Sequence, residues 1–407
     1  MLKKITVLVS IVFISIFFAA CNNPEKPAET ESTLPNEITS QAQPENTTAT
    51  YDSEALFKFG MLPAKSIDGK WGFINTSGEW VISPQYTRII SDGFCANGCA
   101  IVKINGMRQV IDLSGNIIEI PGLMEIQTDD FSSCGIASAY ISGYNENVYF
   151  TIENSVAVLH TDVKYNGEFT DDGLAVMNDG DGASIMNSNF EYVLEYQKNW
   201  DIQDYSNGFA VAKIYDENNR IIKIGYLNTK GEWAIDLPVK YEPQSFNRAG
   251  IAAVKTENPD YKDNRNLYHL INTSGEKICE FKAVKVNNCE NSDWLRYKST
   301  ENEATTTHTY GFINSKGETS SVMLSCTTDV DFLSSVTNGR IVEERTVYDE
   351  TGNLLFEAEN YSFESDYHSD GYAIVETFGR KFAIVDMNGN IILKADEQSG
   401  IEEFAIY

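Results

Sequence analysis

Short apolar runs separated by turn residues fill this chain from about residue 56 onward. Residues 69–86, with the sequence GKWGFINTSGEWVISPQY, show the pattern in full. One apolar run ends at Asn75 and the next begins shortly after Gly78. An Asn side chain can bond to its own backbone to start a turn, and glycine adopts the left-handed conformation that closes a bulged loop. The stretch therefore predicts a β-hairpin that turns between Asn75 and Gly78.

The same turn recurs to the end of the chain. Its opening residue recurs at Asn75, Asp112, Asn187, Asn228, Asn272, Asn314, Asp349 and Asp386. Its closing glycine recurs at Gly78, Gly115, Gly231, Gly275, Gly317, Gly352 and Gly389. Successive turns lie roughly 35 to 45 residues apart, a spacing typical of repeat proteins. A degenerate unit around residues 149–154 fills the one double gap, which makes about nine units.

A second motif, a glycine followed by an apolar residue and an alanine, begins a further short strand between the turns. It occurs at Gly135, Gly173, Gly208, Gly250 and Gly371. No long stretch shows a helical apolar period, so the pattern predicts an all-β fold of tandem antiparallel meanders, each with about three strands. Such units can pack as a propeller-like ring or as an open curved array, and the sequence leaves both arrangements open.

The run Lys70-Trp71-Gly72-Phe73-Ile74, followed by the Asn75 turn, resembles the bacterial WG-repeat (KWG-repeat) family. The likeness extends from about residue 56 to the end of the chain. Residues 224–227 and 310–313 keep the glycine but lose the tryptophan, and residues 382–385 lose both. The resemblance implies a repeat module found in many bacterial, often exported, proteins that have no established shared chemistry.

The chain begins with the pattern of a secretory signal. Lys3 and Lys4 form a basic start, residues 5–20 are mostly apolar, and small residues lead to Cys21. This order is typical of a cleaved signal peptide rather than of a mature membrane span. A cysteine at the cut site resembles a bacterial lipobox, with Phe18 in place of the commoner leucine. Residues 1–20 are thus predicted to be removed and Cys21 to carry lipid; the alternative is an ordinary signal with an incidental cysteine.

Residues 21–55 are rich in Pro, Glu, Thr, Ser, Asn and Gln and have few large apolar side chains. Such a segment cannot bury enough surface to offset its ordering entropy, which predicts a disordered tether. The β-repeat domain is then expected at 56–407. The whole arrangement predicts an exported lipoprotein, anchored to a membrane of a bacterial cell envelope through Cys21.

The net charge of −28 limits the classes of partner. Nucleic-acid binding requires stripes of Lys and Arg, and none is visible in the sequence. The same charge opposes adsorption to anionic lipid, so lipid on Cys21 is expected to provide the membrane attachment. The acidity can attract cations or basic partners, or it can simply keep an exported repeat protein soluble.

The cysteines that follow Cys21 are even in number, which permits disulfides in an exported chain. Cys95 and Cys99 could close a tight loop, and Cys279 and Cys289 could bridge strands of one unit. Free buried thiols are the other interpretation. Zinc is not expected, because the sequence has no C-x-x-C pair and no histidine that shares the cysteine spacing. We therefore predict no metal site and no cofactor.

The sequence lacks the usual motifs of catalysis. His160, His269, His308 and His368 fall in different units, and no nucleophile elbow, Walker loop, zincin motif or dinucleotide fingerprint occurs. Residues 178–182 (NDGDG) have the oxygen density of a calcium loop but lack its terminal Glu, which favours a plain turn. Carboxylates are too plentiful for any pair to identify a glycosidase. The protein is predicted not to be an enzyme.

Trp80 and Trp233 occupy equivalent positions after Gly-Glu, each two residues before an isoleucine. In a strand, the Trp and the Ile share one face. If that face packs between units, the rings are core residues. If it faces solvent, aromatic rings at repeat spacing could stack on sugars.

These patterns together predict a non-enzymatic, lipid-anchored, exported repeat protein. Its surface would bind a protein or a cell-envelope glycan. The alternatives are a cell-envelope glycan hydrolase and a purely structural envelope protein.

Overall fold

The computed structural model of the chain describes residues 51–259, 265–288, 292–302, 307–320, 324–326 and 335–405. Within these residues the secondary structure is β-strand, without helix, and the strands form nine antiparallel sheets. The sheets are arranged in a ring as a nine-bladed β-propeller. The predicted all-β repeat fold of about nine units is confirmed, and the closed arrangement is the one adopted.

The blades are numbered in chain order. Blade 1 contains β1 (Leu62–Ser66), β2 (Trp71–Ile74) and β3 (Trp80–Tyr86). Blade 2 contains β4 (Arg88–Ile89), β5 (Cys99–Ile104), β6 (Met107–Asp112) and β7 (Ile117–Ile118). Blade 3 contains β8 (Leu123–Ile126), β9 (Ile136–Ile141), β10 (Val148–Glu153) and β11 (Val156–His160). Blade 4 contains β12 (Leu174–Asn178), β13 (Gly182–Asn187) and β14 (Tyr192–Lys198). Blade 5 contains β15 (Trp200–Ile202), β16 (Phe209–Tyr215), β17 (Ile221–Asn228) and β18 (Trp233–Leu237). Blade 6 contains β19 (Glu242–Pro243), β20 (Ile251–Thr256), β21 (Asn266–Asn272) and β22 (Lys277–Ala283). Blade 7 contains β23 (Lys285–Asn288), β24 (Leu295–Asn302), β25 (Thr307–Ile313) and β26 (Leu324–Cys326). Blade 8 contains β27 (Val336–Thr337), β28 (Arg340–Glu343), β29 (Thr346–Asp349) and β30 (Leu354–Glu357). Blade 9 contains β31 (Tyr361–Phe363), β32 (Ala373–Thr377), β33 (Phe382–Val385) and β34 (Ile391–Lys394). The last strand, β35 (Ile401–Phe404), returns to blade 1.

Within a blade the strands pair in chain order, and we name these four positions A to D from one edge to the other. The A strands are short, only two residues in β4 and in β19. This is why the sequence predicted about three strands per unit rather than four: two residues cannot show an apolar alternation. In blade 4 the A position is reduced to a single bridge between Phe169 and Ala175.

The two ends of the described chain close the ring. β35 takes the A position of blade 1 and pairs with β1, with Ala64 opposite Phe404 and Ser66 opposite Ile401. Ile401 and Phe404 are fully buried. Closure therefore combines backbone pairing with burial of apolar side chains, and it leaves no terminal unit of the kind an open array has.

The predicted turn joins strands C and D. The Oδ1 of Asn75 accepts hydrogen bonds from the backbone amides of Ser77 (2.9 Å) and Glu79 (3.0 Å), while its Nδ2 donates to the Glu79 carboxylate (3.0 Å). Gly78 closes the turn at φ +79°. The seven predicted closing glycines all have φ between +71° and +96°, where glycine is strongly favoured.

The glycine that follows the tryptophan has a different role. A Cβ atom on Gly72 would lie 2.5 Å from the carbonyl oxygen of Ile82. The pairing of β2 with β3 is irregular at this point, so the D strand bulges over the glycine. The chain then enters the next blade almost at once, since β3 ends at Tyr86 and β4 begins at Arg88. Gly225 repeats this close approach, with a Cβ placed 2.0 Å from the oxygen of Ile235.

A candidate binding face crossed by the N-terminal segment

The AB loops and CD turns lie at one end of the ring, because strands alternate in direction within each antiparallel blade. Hydrogen bonds from the AB loops join each blade to the next from blade 2 to blade 9, and we call this set the loop belt. The bonded pairs are Cys95–Asp130 (2.5 Å), Ser133–Asp171 (2.7 Å), Gly208–Asp172 (2.7 Å), Asn207–Phe246 (3.1 Å), Arg248–Asp293 (3.0 Å), Ser292–Val336 (2.8 Å) and Asn338–His368 (2.7 Å). The belt gives this end of the ring a fixed surface.

Several carboxylates of the belt are shielded from water. Burial raises the pKa of Asp130, and the Cys95 thiol beside it is also raised in pKa, mainly by burial. Burial raises the pKa of Asp366 in blade 9 to about 7, although the hydroxyl (2.8 Å) and amide (2.9 Å) of Ser335 donate to it. Packing of the loops therefore makes these carboxylates harder to ionise.

Residues 51–57, which we call the strap, precede β1 and pack on the loop belt. Leu56 and Phe57 are buried, and the Phe57 ring makes an edge contact with Tyr372 of blade 9, 5.4 Å between centroids. The backbone amide of Ser369 donates to the carbonyl of Glu54 (3.1 Å), and the amide of Phe57 donates to the Asp370 carboxylate (2.9 Å). The strap is therefore bound to blade 9 through both its backbone and its apolar side chains.

The strap also reaches blade 6. Both carboxylate oxygens of Glu54 accept from the Nη1 of Arg248, whose Nε donates to Asp293 of blade 7 at 3.0 Å. The other end of the strap lies near the AB loops of blades 3 and 4. There burial is the main cause that raises the pKa of the Tyr51 phenol to about 12, and the nearby carboxylates of Asp130 and Asp171 add to it. Blades 3, 6 and 9 are not neighbours, so the strap crosses the face instead of following its rim.

The strap includes residues 51–55, which the sequence analysis placed at the end of the tether. Residues 21–50 of that tether, the signal at 1–20 and Cys21 lie outside the described residues. The onset of apolar residues at Leu56 was visible in the sequence. The contact of Glu54 with Arg248 was not, because the two residues are 194 positions apart and belong to no shared motif.

Trp80 and Trp233 both lie in D strands and are half-buried. Trp80 packs against the apolar cluster that joins blades 9 and 1. The ring of Trp233 lies 5.6 Å from that of Trp200, and the ammonium of Lys223 lies 4.1 Å from its centroid. Packing accounts for both positions; a role in binding stays a prediction.

The described cysteines Cys95, Cys99, Cys134 and Cys279 are free thiols, so Cys95 and Cys99 do not form the disulfide that their spacing allowed. Cys21, Cys289 and the side chain of Cys326 lie outside the described residues. Burial raises the pKa of Cys99 to about 11, with a contribution from Asp112. Such thiols are protonated at neutral pH and pack as small apolar groups.

The described histidines lie apart, as expected. Burial is the main cause that lowers the pKa of His160, His269 and His368, so these imidazoles are neutral near pH 7. The side chain of His308 lies outside the described residues. No group of three or more His, Cys, Asp or Glu in the described part of the chain is arranged to hold a metal ion.

Residues 178–182 form a turn between strands B and C of blade 4. One carboxylate oxygen of Asp179 accepts the amides of Asp181 (2.9 Å) and Gly182 (2.9 Å). Tyr196 donates to the same carboxylate at 3.2 Å. The Asp179 carboxylate thus stabilises the turn itself, as the plain-turn interpretation expects.

A polar groove of about 560 Å³ lies between blades 8 and 9. Its walls include Phe356, Asn360 and Asn388 together with the carboxylates of Glu357 and Glu359. No lysine or arginine lines it among the described residues. Its chemistry suits a neutral polyhydroxy ligand or a cation rather than an anion.

Comparison with known proteins supports the repeat and the fold. Residues 71–107 match the family described as "WG containing repeat". No curated protein matches the sequence. Over the described residues there is no helix long and apolar enough to cross a membrane.

Three solved structures are similar to this chain at low sequence identity. A eukaryotic initiation factor is 11% identical with a TM-score of 0.51, and the match covers 82% of this chain and 95% of that one. The WD40 domain of SCAP from fission yeast is 8% identical with a TM-score of 0.29, covering 72% and 88%. The β-propeller domain of Cps50 (Swd1) from Myceliophteria thermophila is 8% identical with a TM-score of 0.27, covering 75% and 98%. At these identities the likeness of the initiation factor shows the fold alone. The chain is thus a β-propeller that contains a WG-type repeat.

Proposed function

We propose that this protein is a non-enzymatic, lipid-anchored, exported propeller that binds a protein partner at the cell envelope. The observation that carries the proposal is the loop belt, which joins the AB loops of consecutive blades into one fixed surface. A fixed surface lowers the entropy cost of association, because few groups have to be ordered on binding. The acidic net charge of −28 favours a partner whose own surface is basic or neutral.

The proposed location at a membrane rests on the signal-peptide pattern and on Cys21. Two or more acyl chains would hold the protein at a membrane, since each buried CH₂ contributes about 0.8 kcal/mol. Cys21→Ala is expected to block processing or to move the protein to the aqueous phase on detergent partitioning. The unsubstituted protein should incorporate labelled palmitate and start at Cys21 by mass spectrometry. A mature N-terminus elsewhere would contradict the anchor.

The binding activity is tested separately, with the full chain cross-linked in envelope preparations and its partners identified by mass spectrometry. A chain with Arg248→Gln, which alters the strap-crossed face, is compared with Arg380→Gln, which alters the BC loop of blade 9 at the other end of the ring. Loss of the same cross-linked protein with Arg248→Gln alone would support the proposed face. Equal capture by both variants would contradict it.

A glycan is the second candidate ligand, because amides, carboxylates and an aromatic residue line the groove between blades 8 and 9. Neutral sugars are commonly held by such groups, with a ring stacked on an aromatic face. Binding to a glycan array that is lost with Asn360→Leu would support this candidate. Array binding that survives the substitution, or no array binding at all, would remove it.

A further inference from the structure

The strap packs on the ring in the way that a short bound peptide would. Asp52, at its start, turns the chain: its carboxylate accepts the amide of Glu54 at 2.9 Å, and its carbonyl accepts the amide of Ala55 at 3.3 Å. Leu56 and Phe57 then bury their side chains, being 6% and 5% exposed. The segment therefore presents two carboxylates in a turn, followed by an apolar pair.

The ring supplies a matched set of groups. Arg248 pairs with the Glu54 carboxylate, the Ser369 hydroxyl donates to the Asp52 carboxylate (2.6 Å), and the Asp370 carboxylate accepts the Phe57 amide (2.9 Å). These groups come from blades 6 and 9, which lie far from the strap in sequence. They form a site of mixed character, in which polar contacts fix the position of an apolar anchor.

The backbone pairing that closes the ring does not involve the strap, whereas Leu56 and Phe57 of the strap add their side chains to the apolar cluster between blades 9 and 1. The pairing of β35 with β1 begins at Ala64, after the strap has ended. The Arg248 guanidinium also keeps a partner without the strap, since Asp293 accepts from its Nε at 3.0 Å. The Nη1 of the guanidinium, which contacts Glu54, would then still point at the site. Arg248 has a side chain 43% exposed and Glu54 one 28% exposed, so solvent and competing carboxylates can reach the pair.

We propose that the strap occupies, in cis, a peptide-binding site of the ring, and that a partner protein supplies in trans a segment with the same order of acidic turn and apolar pair. This inference rests on the proposed function, because it names the kind of partner that the strap-crossed face takes. Binding of the trans segment requires release of the strap, so the strap lowers the apparent affinity of the site.

The test uses the full chain and a fluorescent, end-capped peptide with the sequence YDSEALFKF, which copies residues 51–59. Anisotropy is measured with the unsubstituted protein and with Glu54→Gln, which removes the strap carboxylate that pairs with Arg248 but leaves Arg248 intact. Loss of a charge-assisted pair from the strap should raise the apparent affinity of the peptide about tenfold. Adding Arg248→Gln to Glu54→Gln should abolish most of that gain, and adding Arg380→Gln should not.

A second peptide, YDSQALFKF, lacks the carboxylate that Arg248 binds and should bind the Glu54→Gln protein about tenfold more weakly than the first. Asp52→Asn provides a second way to loosen the strap without changing the ring, because the Asp52 carboxylate accepts from the Ser369 hydroxyl. Melting curves verify that each variant is folded. Equal affinity of the two peptides, or no gain with either strap variant, would overturn the proposal.

The assay is independent of the lipid anchor and of the identity of the natural partner. Peptide binding together with failed cross-linking would keep the site and refute the proposed envelope partner. Cross-linking lost with Arg248→Gln, without peptide binding, would keep the proposed face and refute the peptide site.

Discussion

Gly115, which closes the CD turn of blade 2, lies against Ile82 in the D strand of blade 1. A Cβ atom on Gly115 would stand 2.8 Å from the Cγ2 of Ile82 and 3.0 Å from the hydroxyl of Tyr86. Tyr86 donates a hydrogen bond to the carbonyl of the same glycine at 3.2 Å. Gly115 is thus required twice, for its φ of +82° and for the space that its missing side chain leaves between blades.

These two requirements can be separated with Gly106, which has φ +88° and no atom within 4 Å of an added Cβ. Gly106→Ala should lower the free energy of unfolding by about 1 kcal/mol, the cost of the left-handed backbone alone. Gly115→Ala should lower it by about 2–4 kcal/mol, because overpacking at the blade interface adds to the backbone cost. Urea denaturation measures both, and equal losses would contradict the interblade role of the turn.

Each CD turn opened by one of the eight predicted residues combines one amide with one carboxylate. In the turns that begin with Asn, as at Asn75, the amide donates to a Glu four residues later. In the turns that begin with Asp, as at Asp112, the residue four positions later is an Asn and donates back. The amide and the carboxylate thus exchange positions between the two kinds of turn, and the same amide-to-carboxylate hydrogen bond forms in both.

This reciprocity predicts the outcome of a double-mutant cycle at Asn75 and Glu79. Asn75→Asp alone should lower the free energy of unfolding by about 1 kcal/mol at pH 7, because it replaces a hydrogen bond by two facing carboxylates. Adding Glu79→Gln should recover most of that loss, since the Gln amide can donate to the new Asp. A double variant as unstable as the single one would show that the pairing does not stabilise the turn.

The turns could be predicted from sequence because each is a local pattern of five residues. The turn opened by Asn187 shows where such a pattern fails: Phe190 stands at the position of the closing glycine, with φ +63°. Its ring packs against those of His160, Tyr149 and Phe169 at 4.4, 5.5 and 5.9 Å between centroids. Packing offsets the backbone strain, and that compensation comes from residues that no local pattern connects to Phe190.

The candidate face was beyond the sequence for the same reason. The contacts of Asp52 with Ser369 and of Phe57 with Asp370 join residues more than 300 positions apart. A repeat pattern reports only what recurs, whereas the strap and Arg248 each occur once. The charge of Glu54 also resembled that of the other acids in the predicted tether, so composition gave no signal.

Asp366 should make stability depend on pH. Burial raises its folded pKa to about 7, well above the value near 4 of an unfolded carboxyl. The folded state therefore binds the proton more tightly, and this contribution to stability is present below pH 4 and lost as the pH rises through 7. Asp366→Asn keeps an acceptor for Ser335 but cannot ionise.

We expect the melting temperature of Asp366→Asn to rise relative to the unsubstituted protein as the pH increases from 4 to 8. The difference should correspond to about 2 kcal/mol or less, since solvent relaxation reduces the effect of a buried charge. Asp236→Asn is the matched control, because Asp236 is a surface carboxylate, paired with Lys223 at 3.0 Å. A pH-independent difference for Asp366→Asn would refute the raised pKa.

Ring closure should appear in native-state hydrogen exchange. Amides of β1 and β35 are expected to be as protected as those of blades opposite them, because a closed ring has no fraying end.

Phe404→Ala removes a buried side chain from the closing strand and should lower the free energy of unfolding by about 3–5 kcal/mol, as Phe150→Ala should in blade 3. The two variants differ in where exchange increases. Phe404→Ala should raise it in blades 9 and 1 together, through the shared cluster around Ile74 and Ile384, whereas Phe150→Ala should raise it around blade 3. Early exchange of β1 and β35 in the unsubstituted protein would show instead that the closing pairs open independently of the ring.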